Sequence, residues 1–481
     1  MTESQATAFV GSGRFMTDRR FYLQLLGLAW PIALQNIVAF SVSLTDSLMI
    51  KELGSVAVSG VYVSNQLTTF LQMITAGITA ALIILASQYQ GRGDRDSVRE
   101  IVSLSLRGSV IIAALMTLLV QLWPRQLLAI FTNEPEVIEA ALPYLSVLSW
   151  IYVFFVASNV MIASMRVVMR VRIGLLCSVI AFATNLPLNW LLIFGNLGFP
   201  RLGLRGAAIA TLIAWIIEAA VLVVIVFVQD EKLGLRLRHL RGFDRALLRD
   251  FFRYGLPVVI GDMTWGINMM VQGMIIGRLG TAAIAAVSVT GTLLSVMAVM
   301  IYGIRDGTAI MIGQAVGRGN MDEIKRFTRS FQLVFLAFGA VTAVMIWFGR
   351  PLLLSFYAAL DQPTLELADK FLQVLAVVTF GTAYQMSCLT GIVRAGGKTH
   401  FVLINDLLWV WLWVLPSAAL AAFVFNASPV LVFFLLKSDQ LLKCIVAVIE
   451  TNSYRWVKQL TRERTPAGND GQPGGRAAAT G

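Results

Sequence analysis

Gln88-Tyr89-Gln90-Gly91-Arg92-Gly93-Asp94 closes one long apolar run of this chain, and Gln314-Ala315-Val316-Gly317-Arg318-Gly319-Asn320 closes another, 226 residues later. The same offset superposes Pro31 on Pro257, Gly54 on Gly280 and Gly77 on Gly303 without a gap. Prolines and glycines that hold register over such a distance mark a duplicated helical unit. The offset spans six apolar segments, an even number, so both halves enter the membrane in the same sense, related by an axis along its normal. Two like bundles of this kind enclose a midplane cavity and rock about it. Neither an enzyme nor a channel requires that symmetry.

Outward from the repeat, apolar runs fall at 24–50, 56–86, 100–123, 141–165, 173–195, 204–228, 255–278, 283–313, 327–349, 371–393, 400–424 and 428–450. Each is long enough to cross a hydrocarbon core about 30 Å thick. The fold class expected is an all-α polytopic membrane protein, with twelve transmembrane helices in two pseudo-symmetric six-helix lobes. Composition agrees: 57% of the 481 residues are hydrophobic, 14% are charged and the mean hydropathy is +0.75, against about 45–50% apolar residues in soluble domains. The expected divisions are an N-terminal segment 1–20, an N-lobe 21–228, a polar linker 229–254, a C-lobe 255–450 and a basic stretch with a Gly/Pro/Ala/Thr tail, 451–481.

The net charge of +11 sits in short loops. Loops after even-numbered spans hold Arg92, Arg95, Arg166, Arg170, Arg318 and Arg394, and those after odd spans are poorer in Lys and Arg. This is the positive-inside pattern, so both termini are expected in the cytoplasm of a bacterial inner-membrane protein, and nucleic-acid binding is not indicated. The first apolar run continues from about residue 21 to 50 without a cleavage pattern and reads as a retained helix. Cys177, Cys388 and Cys444 lie in apolar segments without metal-ligand spacing and read as packing residues.

Further blocks surround the repeat: Ala29-Trp30-Pro31 with Thr45-Asp46-Ser47, then Asn185-Leu186-Pro187-Leu188-Asn189-Trp190, Gly206-Ala207-Ala208-Ile209-Ala210-Thr211, Gly255-Leu256-Pro257 and Arg394-Ala395-Gly396-Gly397-Lys398-Thr399. In that order the chain resembles the multidrug and toxic compound extrusion (MATE) transporters over residues 20–464. The resemblance implies an antiporter that takes up protons or sodium ions while expelling organic, often cationic and amphipathic, compounds. It also implies that an aspartate at the position of Asp46 takes part in cation coupling with side chains matching Asn185, Asn189 and Thr211. Many relatives carry aspartate where this chain has Asn189. With one carboxylate fewer, a proton is favoured over sodium, because a hard cation gains from several oxygens and added negative charge. No other metal and no cofactor is expected.

An ionisable side chain within a membrane helix is by default a functional-site hypothesis. Pro31 and Pro257 each remove a backbone donor and are expected to bend the helices that carry Asp46 and Asp262. Asp262 is the acid expected to serve cation coupling from the C-lobe, alongside Asp46, and stands at the repeat position of Asn36. Arg305 and Asp306 are adjacent, so they point about 100° apart on a helix and are each expected to find a separate partner. Glu218, in midspan, is expected with Asn36, Arg305 and Asp306 to face a substrate cavity, whereas Asp406 and Asp439 lie nearer helix ends and read as structural. Trp265, Asn268, Gln272, Tyr384 and Gln385 offer the aromatic faces and polar handles that suit amphipathic ligands.

The partners expected are therefore a small-molecule substrate and membrane lipid, with the chain acting as a monomer. The alternative is a lipid-linked precursor flippase, which needs strongly cationic cavity walls. On the sequence the intramembrane acids outnumber the bases, which argues against it. A membrane-embedded enzyme would need a nucleophile with a positioned base. His239 and His400 lie in loops or at helix ends, and no such pair is visible.

Overall fold

A computed structural model describes residues 15–242, 244–357 and 361–462. Twelve long helical segments account for the expected spans. The N-lobe contains α1 (Arg19–Lys51), α2 (Ser55–Arg92), α3 (Arg95–Leu122), α4 (Pro135–Val167), α5 (Arg172–Phe194) and α6 (Gly203–Gln229). The C-lobe contains α7 (Arg245–Gly277), α8 (Thr281–Arg318), α9 (Met321–Ser355), α10 (Gln362–Val393), α11 (Thr399–Phe423) and α12, which comes in two pieces, Pro429–Lys437 and Asp439–Ser453. Several helices outrun their apolar spans, because polar turns continue the same hydrogen-bond ladder beyond the hydrocarbon. The first fourteen residues and the tail from 463 onward lie outside the described residues.

Pro31 and Pro257 fall inside α1 and α7, which continue through them. The two lobes differ in regularity. In the C-lobe, α10 ends in a π-helical stretch (Ser387–Val393), α11 passes through another (Trp409–Val414), and α12 breaks at Ser438. In the N-lobe, a π-helical stretch appears at the end of α6 (Ile225–Gln229). Wide turns of this type leave the normal hydrogen-bond ladder and are frequent at functional sites.

The repeated glycines explain why the halves share a pattern. Gly54 and Gly280 precede α2 and α8 at φ +98° and +102°, and Gly93 and Gly319 end them at +84° and +74°, a region closed to most side chains. The other pairs bring the lobes together. A Cβ on Gly77 would lie 2.5 Å from the Val259 backbone of α7, and one on Gly303 2.7 Å from the Ala29 carbonyl of α1. A Cβ on Gly91 would lie 2.1 Å from the Gln314 carbonyl, and one on Gly317 1.9 Å from that of Gln88. The two motifs are therefore packed reciprocally against each other, as a two-fold axis demands.

The glutamines complete this contact. Gln88 donates to Ala395 O (3.3 Å) and accepts from Leu460 N (2.9 Å), while Gln314 donates to Val167 O at 3.0 Å. Each lobe thus meets a free backbone group of the other, in a region where an unpaired group is costly. Between the lobes, the linker is held to α3: Arg99 donates to Leu233 O and Arg107 to Gly242 O.

Candidate functional site

Two polar regions lie inside the apolar frame. The first belongs to the N-lobe alone and joins α1, α5 and α6. Asn189 donates from Nδ2 to the Asp46 carboxylate and to Asn185 Oδ1 (2.9 Å), and Asn185 Nδ2 donates to Thr211 Oγ1 at 3.2 Å. The four-residue spacing of the asparagines puts them one turn apart on one face of α5. Asn185 and Asn189 are buried, Asp46 and Thr211 partly so. Asn189 Oδ1 is buried without a hydrogen-bond partner. The four residues expected to act together are thus in direct contact. Glu218 is buried two turns beyond Thr211 on α6, outside this cluster and away from the lining of the central cavity, in contrast to the cavity role expected of it.

The second region is a central cavity of about 600 Å³ lined by both lobes. Asn36, Asp262, Trp265, Asn268, Gln272 and Gln385 line it, as do Arg305, Asp306 and Pro257. Asp46 does not, so the structure separates the two acids expected to work together. Tyr384 is buried and donates to Gln332 Oε1 at 2.7 Å. It faces the packing of α10 against α9, not the cavity, in contrast to the role expected of it.

The cavity charges also correct the sequence reading. Asp406 and Asp439 are cavity residues that share Lys443, at 2.8 and 3.1 Å. Of the adjacent pair Arg305 and Asp306, the acid finds the separate partner expected of it and the arginine does not. The guanidinium folds back on its neighbour, Nη2 to Oδ1 2.7 Å, and Arg166 of α4 reaches Asp306 across the lobe boundary at 3.4 Å. A long flexible side chain overrides the 100° between adjacent positions. Asp262 is paired with Arg394 at 3.1 Å. The walls carry five cations, Arg166, Arg305, Arg394, Lys437 and Lys443, against the acids Asp262, Asp306, Asp406 and Asp439. The acids therefore do not outnumber the bases.

The missed bases had a signal. Lys437 and Lys443 lie within the span 428–450, and the intramembrane cost that draws attention to an aspartate applies equally to a lysine. Arg166 and Arg394 each fall one residue beyond an apolar run, where they read as loop charges. Among the described residues no cluster of His, Cys, Asp and Glu has the form of a metal site.

Comparison with known proteins follows the same outline. The MatE family profile matches residues 31–191 and 257–420, beginning at the two equivalent prolines. "Probable multidrug resistance protein NorM" of Thermotoga maritima is 24% identical over 448 residues, covering 92% of this chain and 95% of the relative. "Multidrug resistance protein MdtK" of Pectobacterium atrosepticum is 23% identical, covering 85% and 89%. Among solved structures, an outward-facing multidrug resistance MATE transporter of the MOP superfamily superposes with a TM-score of 0.81 at 20% identity, covering 91% of this chain and 96% of its own. A MOP-superfamily transporter from Pyrococcus furiosus, described as having a binding pocket of reverse polarity, gives 0.80 at 18% identity, covering 90% and 95%. At these identities the structural likeness concerns the fold. The profile matches on both halves, joined to a duplicated twelve-helix fold, establish that the chain belongs to the MatE family.

Proposed function

We propose that this chain is an inner-membrane, cation-coupled multidrug antiporter that expels small organic compounds by alternating access, with both termini in the cytoplasm and protons as the coupling ion. The names of the NorM and MdtK relatives support multidrug efflux. The observation that carries the coupling is the Asp46–Asn189–Asn185–Thr211 chain of hydrogen bonds, set apart from the central cavity. An amide offers both a donor and an acceptor. Asn189 meets an ionised Asp46 with Nδ2, and its unpartnered Oδ1 is available to a protonated one after rotation of the amide. A second carboxylate at this position would serve a sodium ion better. Protonation changes the hydrogen bonds that tie α1 to α5, about four turns beyond Pro31, while substrate occupies the space between the lobes.

The test is reconstitution into liposomes with an imposed proton or sodium gradient. Asp46→Asn should lower proton-driven efflux by about 5–150-fold, the scale of a coupling energy of about 1–3 kcal/mol. Equal rates for parent and variant under both gradients would exclude Asp46 from coupling. Asp262→Asn belongs in the same series, since its carboxylate faces the cavity and its effect should fall on substrate affinity.

A second reading, a flippase for lipid-linked precursors, draws support from the basic side chains of the cavity wall. Transbilayer movement of a labelled lipid, measured in the same liposomes, separates the two.

A further inference from the structure

The central cavity is asymmetric in its chemistry. On the N-lobe side the walls are apolar or carry neutral amides and hydroxyls, with Met73, Phe155, Asn36, Asn159 and Thr79, and Arg166 is the one charged group among the described lining residues of that lobe. All the lining acids belong to the C-lobe, and each of them has a cation within ion-pair distance. Their charge is spent inside the protein. Lys437 is different: its ammonium donates to Gln272 Oε1 at 2.9 Å, and among the described residues no carboxylate lies within 4.0 Å of it. Gln272 in turn donates to Asn268 Oδ1 at 3.1 Å, which fixes the orientation of the oxygen that holds the lysine.

Lys437 stands near the middle of the span 428–450, next to Ser438, where α12 passes from its first piece to its second with helical dihedrals (φ −64°, ψ −29°). A partly buried cation with no counter-charge in contact is costly unless something of opposite sign approaches it. Within the protein an amide holds Lys437, and the missing charge is left for a ligand.

We propose that the cavity selects amphipathic compounds bearing an anionic group, a carboxylate, sulfonate or phosphate, which pairs with Lys437 while the apolar body lies against Phe155 and Met73. The paired acids still accept hydrogen bonds, so a compound that also carries a cation is accommodated, but a cation alone leaves Lys437 unpaired. This inference rests on the cavity being the substrate site and goes beyond it by naming the charge that the site requires.

The experiment uses the full chain in liposomes under an imposed proton gradient. Its probes are a water-soluble carboxylate dye, a permanently cationic dye of similar size, and a fluorescently labelled anionic phospholipid. The carboxylate dye should be exported in preference to the cation. Lys437→Gln should raise KM for the carboxylate dye by about 10–100-fold, the worth of a hydrogen bond to a charged group, with kcat little changed and the cation unaffected or improved. Lys437→Arg should keep most of the preference. Export of the cation alone, or equal effects of Lys437→Gln on both dyes, would overturn the proposal. Movement of the phospholipid but of neither dye would mean that the anionic group belongs to a lipid headgroup.

Binding to the detergent-solubilised protein, read by fluorescence polarisation, distinguishes the remaining case. Lys437-dependent binding of the carboxylate dye without transport upholds the site and refutes export as its purpose. Absence of that binding refutes the site itself.

Discussion

Asn189 is the residue on which the choice of coupling ion turns. Its Nδ2 serves Asp46 and Asn185 together, and its Oδ1 is left without a donor in a buried position. Asn189→Asp would place two carboxylates against each other, and like charges at hydrogen-bond distance do not both remain ionised unless a cation lies between them. The variant should therefore acquire sodium-stimulated efflux and measurable sodium-22 binding, both absent from the parent. Sodium-driven transport in the parent equal to that of the variant would remove the argument for protons. The cluster was legible because its four members stand in the ordered motifs that carry the family likeness. The charged cavity was only half legible. Asp262 and the pair Arg305–Asp306 stand out within apolar runs, but which base meets which acid depends on side-chain reach between helices that are distant in sequence.

At the scale of elements, residues 454–462 cross the end of the bundle where the two motifs meet. Lys458 N donates to Gly396 O in the C-lobe (2.9 Å), whereas Leu460 N and Arg462 N donate to Gln88 Oε1 and Tyr89 Oη in the N-lobe. Two different forces hold this segment. Arg462 pairs with Asp250 at 2.6 Å; the guanidinium is 53% exposed but the carboxylate only 5%, so losing this charge-assisted bond costs about 1.5–3 kcal/mol. Trp456 is fully buried, with Nε1 donating to Thr451 O at 2.9 Å, and truncating it costs about 3–5 kcal/mol. Thermal unfolding in detergent should show a larger loss for Trp456→Ala than for Arg462→Ala. Similar losses for both would mean that the charge holds the segment. The sequence offered only a basic amphipathic stretch over 454–464, whose last two residues lie outside those described. It contains no sign of the tryptophan's pocket, which is made by Gly396 and its neighbours. Likewise the twelve spans were legible because a membrane demands long apolar runs, but the break at Ser438 and the π-helical stretches were not, since local packing produces them.

At the scale of the molecule, the repeat read from the sequence becomes a lobe–lobe contact. Gly91 and Gly317 each admit the backbone of the other lobe's glutamine to a distance that no side chain tolerates, and Arg166 reaches Asp306 between the lobes. On the proposed topology this end faces the cytoplasm, and the proposed alternating access would require these contacts to part in every cycle. A methyl group at either glycine meets backbone and cannot be absorbed by a rotating side chain. It therefore penalises this closed arrangement and leaves any arrangement with the lobes apart untouched, which shifts the population by the difference alone. Gly91→Ala and Gly317→Ala should each raise the labelling of a cysteine placed at Asn36 by a membrane-impermeant thiol reagent applied from the cytoplasmic side. By symmetry the two variants should do so to a similar degree, and the double variant more than either. The parent's own thiols, Cys177 and Cys388 buried and Cys444 partly so, provide the background to subtract. Unchanged labelling with normal folding would mean that the glycine contacts persist while the cavity opens, and the two lobes would then have to move about some other axis.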